Sequence, residues 1–220
     1  MPDVLLLEWP ESVRPAYRAA RACRSNAPSL QAFAIETSIP DEEAIVRFLE
    51  TKILPVGHFS VLEGLSFQFM VRCSLISSHQ LVRHRYSSPS QRSYRAVRAT
   101  REDLVVPDVI TDEEDIAIFL DALDYAYRAY ERLLARGVDP EWARGVLPTS
   151  TMTQFTFSMN GRALIEFSRK RQCKRAQGEA HSVAEQMRAL VLDACPLIGR
   201  WMGPPCQFGP CQEGGCGSGH

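Results

Sequence analysis

The chain has 220 residues, a formal net charge of -1 at pH 7 and a hydrophobic fraction of 45%, which is enough for a sizeable core in one large domain. No apolar run approaches the roughly 18 residues of a membrane-spanning helix, and the first eight residues lack the basic start and cleavage site of a signal peptide. The near-neutral charge argues against bulk nucleic-acid binding, so we expect a cytoplasmic protein that binds neither membranes nor nucleic acid.

The first part of the chain predicts strands and helices in alternation. Residues 4–7 form a short apolar strand, and residues 11–24 have the composition of a helix. Pro40 and the three acids that follow it predict a helix start, because proline fits the first turn and acids favour the positive end of the helix dipole. Residues 61–73 are rich in Phe, Val and Leu, which predicts a second strand.

The second part of the chain is dominated by two predicted helices. A capping box at residues 111–114 predicts the start of the first one. Its apolar residues recur at helical spacing: Ile116, Phe119, Leu120, Leu123, Tyr127, Tyr130, Leu133 and Leu134. A final helix repeats the pattern: Ala176, Ala180, Val183, Ala184, Met187, Leu190, Val191 and Ala194. Stripes of this kind usually face a core or a subunit interface.

Together these elements predict a mixed α/β (α+β) fold. We expect a single domain over residues 1–200, with a central sheet flanked by long helices, and a Cys/Gly/Pro-rich tail over residues 201–220. In the tail, Cys206, Cys211 and Cys216 are spaced by five, with Cys195 or His220 available as a fourth ligand. The spacing matches no familiar zinc motif, so a zinc knot, a disulfide and a reduced tail all stay open, and we assign no metal site.

The most informative feature for function is a run of arginines. Residues 64–101 contain no Asp, Glu or Lys, yet they carry seven arginines. Arginine has a planar fork of donors that binds phosphates and carboxylates through paired hydrogen bonds. A solvated basic surface usually mixes lysines with acids, so this composition favours an anion-binding site.

A second basic cluster follows at residues 169–171. If residues 160–171 are helical, Arg171 lies on the same face as Leu164 and Phe167. An arginine on an apolar face needs a partner, because an unpaired buried charge is costly. Two interpretations stay open: an intramolecular salt bridge to Glu166 or Glu179, or an anionic group of a ligand.

Several motif blocks resemble the flavin-dependent thymidylate synthases. Arg83-His84-Arg85, seven further residues and then Ser93 are similar to the signature of that family. The other matching blocks, in order and at the family's spacing, are His58-Phe-Ser60-Val-Leu-Glu63, Gln80, Ala143-Arg144-x-x-Leu147-Pro148, Asn160-x-Arg162-x-Leu164, and Arg171 followed by Ala176-Gln177-x-Glu179. The resemblance covers residues 55–195. No Gly-x-Gly-x-x-Gly motif is present, so a redox cofactor would be held in some other way than in a Rossmann domain.

The resemblance implies a reductive methylation of dUMP to dTMP. Methylenetetrahydrofolate would provide the one-carbon unit and leave as tetrahydrofolate, with FAD supplying the hydride and NADPH re-reducing the flavin. It also implies a homotetramer in which several subunits build each site. Arginine clusters from different chains could then surround one dianion.

Roles carry over by position in the resemblance. The residues at flavin-binding positions are His58, Ser60, Arg83, His84, Arg85, Gln91, Asn160, Arg162 and Glu166. Those at dUMP-binding positions are Gln80, Arg83, Gln91, Arg92, Ser93, Arg95, Arg144 and Arg171. Arg171 is the one predicted catalytic residue, because a guanidinium beside the uracil ring would stabilise the anion formed when the ring N–H loses its proton.

The chain departs from the family's pattern at several positions. The signature's usual Asn-Glu pair is Ser90-Gln91, which keeps the hydrogen-bonding length of the second residue and loses its charge. Glu166 occupies a position where a neutral flavin contact is usual, and Gly64 and Ala96 replace a frequent His and Tyr. We expect these changes to alter affinity rather than abolish function.

Other interpretations of the same residues stay open. The residues around Cys206 resemble those at the nucleophile of the unrelated cysteine-dependent thymidylate synthase, but the flanks differ, and Ser93 has no evident base for a nucleophilic role. The arginine-rich segment, with Tyr86 and Tyr94, could bind single-stranded nucleic acid. A flavoprotein reductase without methyl transfer is a third possibility.

Overall fold

The computed structural model describes residues 2–211, and their centre is one four-stranded antiparallel sheet in the order β1-β2-β4-β3. The strands are β1 (Asp3–Glu8), β2 (Ser66–Ser74), β3 (Ser87–Gln91) and β4 (Met152–Asn160). The central pair, β2 and β4, is in register from Ser66 opposite Asn160 to Ser74 opposite Met152. This architecture confirms the predicted mixed α/β domain with a central sheet.

Helices provide most of the remaining structure. The α-helices are α1 (Arg14–Ala22), α2 (Leu30–Glu36), α3 (Glu42–Phe48), α4 (Leu75–Leu81), α5 (Glu113–Ala135), α6 (Pro140–Ala143), α7 (Gly161–Arg171), α8 (Gly178–Ala194) and α9 (Pro196–Gly199). A π-helical turn spans Leu49–Ile53, and 3₁₀ turns span Phe59–Gly64, Arg101–Asp103, Arg144–Val146 and Pro205–Gln207. Within residues 2–211, none of these helices combines the length and the apolar character that a membrane crossing requires.

The main core lies between one face of the sheet and the two helices α7 and α8. Alternate residues of β2 and β4 point into it, as expected for strands buried on one face: Phe67, Phe69, Val71, Phe155 and Phe157. They pack against the apolar stripes of the helices, including Leu164 and Phe167 of α7 and Val183 and Met187 of α8. The sheet therefore fixes α7, which carries the second basic cluster.

Three element boundaries differ from the predictions. The strand predicted over residues 61–73 begins at Ser66, because the apolar residues before it form the 3₁₀ turn Phe59–Gly64. The cap of α5 is Asp112 rather than Thr111, and its carboxylate accepts hydrogen bonds from the amides of Glu114 and Asp115. Helix α8 begins at Gly178, so Ala176 of the predicted stripe precedes it.

Helix α5 lies outside the main core. Only Leu123 and Tyr130 of its 23 residues are buried. Tyr130 joins a small separate cluster with Tyr94, Ala99 and Ala143. Of the other residues in the predicted apolar stripe, Leu120 is exposed by 44% of its surface and the rest are partly buried, so this chain covers the stripe only in part. Ile118 and Tyr125, which lie beside the stripe, are exposed by 63% and 75%.

Two glycines allow close approaches that place neighbouring elements. A Cβ at Gly161 would lie 3.1 Å from the Leu62 carbonyl oxygen, so glycine lets the start of α7 approach the 3₁₀ turn Phe59–Gly64. A Cβ at Gly199 would lie 2.4 Å from Cα of Leu192, so glycine lets α9 fold back against α8. The first contact places the turn Phe59–Gly64 against α7, and the second places α9 against α8.

The beginning of the predicted tail is part of the folded structure. Met202 is buried in the main core, and Gly203 and Pro204 are also buried. The six described cysteines are free, including Cys195, Cys206 and Cys211, and residues 2–211 hold no cluster of three metal-binding side chains. Cys216 and His220 of the predicted tail lie outside the described residues.

Candidate active site

Helix α7 organises the candidate site. Asn160 ends β4 and caps the helix: its side-chain oxygen accepts a hydrogen bond of 2.9 Å from the Ala163 amide. Leu164 and Phe167 face the core at helical spacing, which turns the charged residues of the helix toward the surface. A capped, well-packed helix is a rigid base for a binding site.

Three adjoining cavities lie along α7, and Glu166 lines all of them. The largest, of about 680 Å³, is lined by Gln80, Glu166, Arg169, Lys170, Arg171, Cys173, Arg175, Ala176, Gln177 and Pro205. The second, of about 380 Å³, is lined by Gly57, His58, Phe59, Ser60, Arg162, Ile165, Glu166 and Arg169. The third, of about 230 Å³, is lined by Glu63, Tyr86, Asn160, Arg162, Ala163 and Glu166. We call these three cavities together the α7 groove.

The α7 groove has the charge of an anion-binding site. Four basic side chains and one acid line its largest cavity. Arg162 is neutralised within the groove, because it forms ion pairs of 2.8 Å with Glu63 and 3.0 Å with Glu166. Hydrogen bonds to these two carboxylates raise the pKa of Arg162. The excess positive charge therefore lies at the other end of α7.

Arg171 is one of the partly buried cations of this cavity. Its guanidinium donates a hydrogen bond of 2.5 Å to the Gln80 carbonyl oxygen. Burial lowers the pKa of Arg171, and the nearby Arg83 lowers it further. The salt bridge considered from the sequence is wrong, because Glu166 pairs with Arg162 and Glu179 binds Ser74 and Ser77.

Gln80, a residue of α4, is held against the start of α8. Its side-chain amide donates a hydrogen bond of 2.7 Å to the Gln177 side-chain oxygen. The carboxylate of Glu179 accepts a bond of 2.8 Å from the Ser74 amide and one of 2.5 Å from the Ser77 hydroxyl, at the beginning of α4. The Ala176-Gln177-x-Glu179 block thus fixes the helix that presents Gln80 to the groove.

His84 lies beneath α7 rather than on the surface. Only 6% of it is exposed, and its ring makes an edge-to-face contact of 5.6 Å with Phe167. Burial lowers the pKa of His84, and Lys170 lowers it further, while a hydrogen bond with the Ala163 backbone acts in the opposite direction. Its buried Nε2 has no hydrogen-bond partner within residues 2–211.

The signature residues at the end of β3 and just after it form a second group. Gln91 donates hydrogen bonds to the hydroxyls of Ser78 and Thr153, at 3.0 and 3.2 Å. Arg92 forms an ion pair of 3.1 Å with Asp103, which is buried. The Ser93 hydroxyl accepts a hydrogen bond from the Arg95 amide, and no histidine or carboxylate of the described chain bonds to it.

Arg95 and Arg144 meet at one residue of α6. Arg95 forms an ion pair of 3.2 Å with the Glu141 carboxylate, and the Arg144 Nε donates a bond of 3.1 Å to the Glu141 carbonyl oxygen. Neither arginine lines the α7 groove. Two predicted phosphate-binding residues that are distant in sequence are therefore brought together, in a place separate from Arg171.

The structure thus divides the predicted site residues into two sets. Those that line the α7 groove are His58, Ser60, Gln80, Asn160, Arg162, Glu166 and Arg171. The remaining ones lie beneath it or outside it: Arg83, His84, Arg85, Gln91, Arg92, Ser93, Arg95 and Arg144. Most of the predicted flavin contacts are in the first set, and most of the predicted dUMP contacts are in the second.

Sequence reasoning missed several groove residues, among them the basic residue Arg175 of the largest cavity. Arg169 lines two cavities, Lys170 and Cys173 line the largest one, and none of them had an assigned role. Arg169 and Lys170 belong to the basic cluster that drew attention to Arg171, so charge alone could have identified them. Nothing in the sequence indicated that Cys173 would face the groove.

The fold and the α7 groove together describe an α/β domain with a basic cavity, in which the predicted site residues fall into the two sets given above. A family model described as "Thymidylate synthase complementing protein" (Thy1) matches residues 4–197. A flavin-dependent thymidylate synthase of Geobacter sulfurreducens is 40% identical over 99% of this chain and 94% of its own length. One of Clostridium tetani is 32% identical over 96% and 90%, and one of Pyrococcus furiosus is 37% identical over 74% and 71%.

The fold also has a solved counterpart. The structure of a UMP/dUMP methylase, PolB from Streptomyces cacaoi bound with 5-Br dUMP, superimposes with a TM-score of 0.74 over 91% of this chain and 94% of that one. The sequence identity is 24%, so this likeness is evidence for the fold. The chain belongs to the Thy1 family, and its enzyme class is that of the flavin-dependent thymidylate synthases.

Proposed function

We propose that this enzyme converts dUMP to dTMP with FAD as its cofactor. Methylenetetrahydrofolate gives its one-carbon unit to C5 of the uracil, and tetrahydrofolate leaves. The transferred carbon must be reduced from the methylene to the methyl level, so the reaction consumes one hydride. Bound FAD supplies that hydride when it has been reduced, and NADPH is the reductant.

The observation that carries this proposal is the placement of Arg171 in a basic cavity beside the predicted flavin contacts. Its guanidinium is confined by the Gln80 carbonyl and pays a desolvation cost, seen in its lowered pKa. A ligand that develops negative charge next to Arg171 removes that penalty. A uracil ring that loses its N3 proton does so, and the resulting anion is more nucleophilic at C5.

The residues of the α7 groove fit a flavin dinucleotide. The groove combines hydroxyl, amide and guanidinium donors with aromatic surface, the mixture that a phosphorylated ring system requires. His58, Ser60, Asn160 and Arg162 would hold the flavin, with Glu63 and Glu166 as acidic neighbours. Arg83, His84, Arg85 and Gln91 complete the proposed set from the signature. The unpartnered Nε2 of His84 is a buried group that still lacks a hydrogen bond.

The proposed dUMP site combines both arginine sets. Gln80 and Arg171 belong to the groove, whereas Gln91, Arg92, Ser93, Arg95 and Arg144 lie at the end of β3, just after it and at α6. We propose that a homotetramer joins the two sets, with the second set of one subunit completing the groove of another. The exposed apolar residues of α5 supply surface for such contacts: Ile118, Leu120 and Tyr125.

Anaerobic visible absorbance tests the proposed reaction. We expect the flavin band of the FAD-loaded protein to bleach on NADPH addition and to return when dUMP and methylenetetrahydrofolate are added, with dTMP detected by chromatography. Omitting dUMP is the control, and it should leave the flavin reduced. A protein that cannot be loaded with FAD would refute the proposal. Bleaching without any dTMP would instead indicate a reductase.

A further inference from the structure

Arg169 is held by aromatic rings rather than by acids. Its guanidinium carbon lies 5.1 Å from the ring centre of Phe59 and 5.9 Å from that of Phe208. Trp201 supports both rings: it stacks on Phe208 at 6.0 Å and 14°, and it contacts Phe59 edge-on at 5.4 Å. Phe59, Trp201 and Phe208 thus form an aromatic cage around a groove arginine.

The cage leaves the hydrogen-bonding edge of Arg169 unused. Cation–π contacts occupy the faces of a guanidinium, whereas its N–H donors lie in the plane of the group. Within residues 2–211, Arg169 has no hydrogen bond or ion pair, and its buried Nε has no partner. A buried donor without an acceptor is costly, so this geometry calls for an acceptor that the described chain does not provide.

The position of Arg169 indicates where that acceptor would come from. Arg169 is shared by the two larger cavities of the α7 groove. In the second cavity its neighbours include His58, Ser60 and Arg162, which are proposed flavin contacts. Arg162 is already paired with two acids, so Arg169 is the arginine of that cavity whose charge is uncompensated.

We propose that Arg169 binds a phosphate of the flavin dinucleotide, and that the C-terminal segment Trp201–Phe208 is a positioning element for it. This inference rests on the proposed function, because it takes the flavin to occupy the groove. Phe208 closes the outer side of the cage, and Pro205 lines the largest cavity next to Arg169. The segment Trp201–Phe208, which follows α9, is therefore part of the proposed binding site.

Binding of FAD and of riboflavin to the Arg169→Gln protein tests the proposal. Riboflavin has the isoalloxazine ring but no phosphate. We expect the Kd for FAD, measured by flavin fluorescence, to rise roughly tenfold to hundredfold, because a charge-assisted hydrogen bond is lost. The Kd for riboflavin should stay unchanged. Arg200→Gln is the matched control, because Arg200 precedes the cage and pairs with Glu50 outside the groove.

A second variant distinguishes the loss of an aromatic contact to Arg169 from a loss of protein stability. Phe208→Leu keeps the apolar volume at a residue that is 40% exposed and removes one ring face from Arg169. We expect it to weaken FAD binding several-fold without changing the unfolding midpoint. An unchanged Kd for FAD in Arg169→Gln, an equal loss of riboflavin, or a loss of dUMP affinity alone would each overturn the inference. If one of these results is obtained while the wild-type protein still binds FAD and forms dTMP, the inference about Arg169 is wrong and the proposed function stands.

Discussion

The two arginine sets of this enzyme are satisfied in different ways. After β3, Arg92 and Arg95 have carboxylate partners, in Asp103 and Glu141. At the C-terminal end of α7, Arg169 contacts aromatic faces and Arg171 a backbone carbonyl, and neither has an acidic partner in the described chain. An acid balances the charge of an arginine in the free protein, whereas a ring face or a carbonyl only holds it in place.

This difference predicts which arginines depend on a ligand. An arginine with a carboxylate partner stabilises the folded chain before any ligand arrives. An arginine without one holds an uncompensated charge at a cost, which an anionic ligand relieves on binding. Arg162, near the start of α7, has carboxylate partners, whereas Arg169 and Arg171, near its end, have none in the described chain. Both kinds of arginine therefore occur on one helix.

The largest expected effect is on turnover, in Arg171→Gln. We expect kcat to fall by about 100-fold to 1,000-fold, because a preorganised donor to the developing uracil anion is removed. Steady-state dTMP formation measures it, with Arg47→Gln as the control, since Arg47 pairs with Glu43 at an exposed site. A similar loss of FAD binding would contradict the role given to Arg171, which concerns the uracil ring.

Asp103→Asn should reduce stability instead. Asp103 is buried and binds Arg92 as well as the Thr100 amide, so we expect a loss of about 1–3 kcal/mol in the free energy of unfolding. Urea denaturation of Asp103→Asn, Arg92→Met and the double variant checks this. Because both single changes remove the same ion pair, the double variant should cost less than their sum. If the two single losses in the free energy of unfolding add up to that of the double variant, the Arg92–Asp103 ion pair does not contribute to stability.

The sequence predicted the elements better than their contacts. Apolar residues at helical spacing located α5, α7 and α8, because a stripe on one face is enough to define a helix. The start of β2 was wrong because Phe59–Gly64 is as apolar as a strand, and only its packing against α1 and α7 selects a turn. Either Thr111 or Asp112 could cap α5, and composition does not choose between them.

The contacts within the site depend on residues that are far apart in the sequence. Arg171 was expected to need a partner, but that partner is a backbone carbonyl 91 positions away, which has no sequence signature. The cage around Arg169 joins Phe59, in the turn before β2, to Phe208, in a segment where cysteines rather than aromatic residues drew attention. Motif blocks identified the family and assigned roles to seven of the residues that line the groove, whereas the partners of the charged residues could be identified only from the fold.

The smallest expected effect concerns the pH dependence of stability, through His84. Burial lowers its pKa in the folded chain, so below the ordinary value of about 6.5 the unfolded chain binds a proton that the folded chain does not. The free energy of unfolding should therefore decrease as pH falls from about 6.5 toward the lower folded pKa, by at most about 1.4 kcal/mol per pH unit for one proton.

Urea denaturation of the FAD-free protein between about pH 5 and 8 measures this slope. His84→Gln should lack that component, while His79→Gln, at an exposed histidine of α4, should retain it. Equal slopes in wild type and His84→Gln would show that the buried ring is protonated as readily when folded as when unfolded.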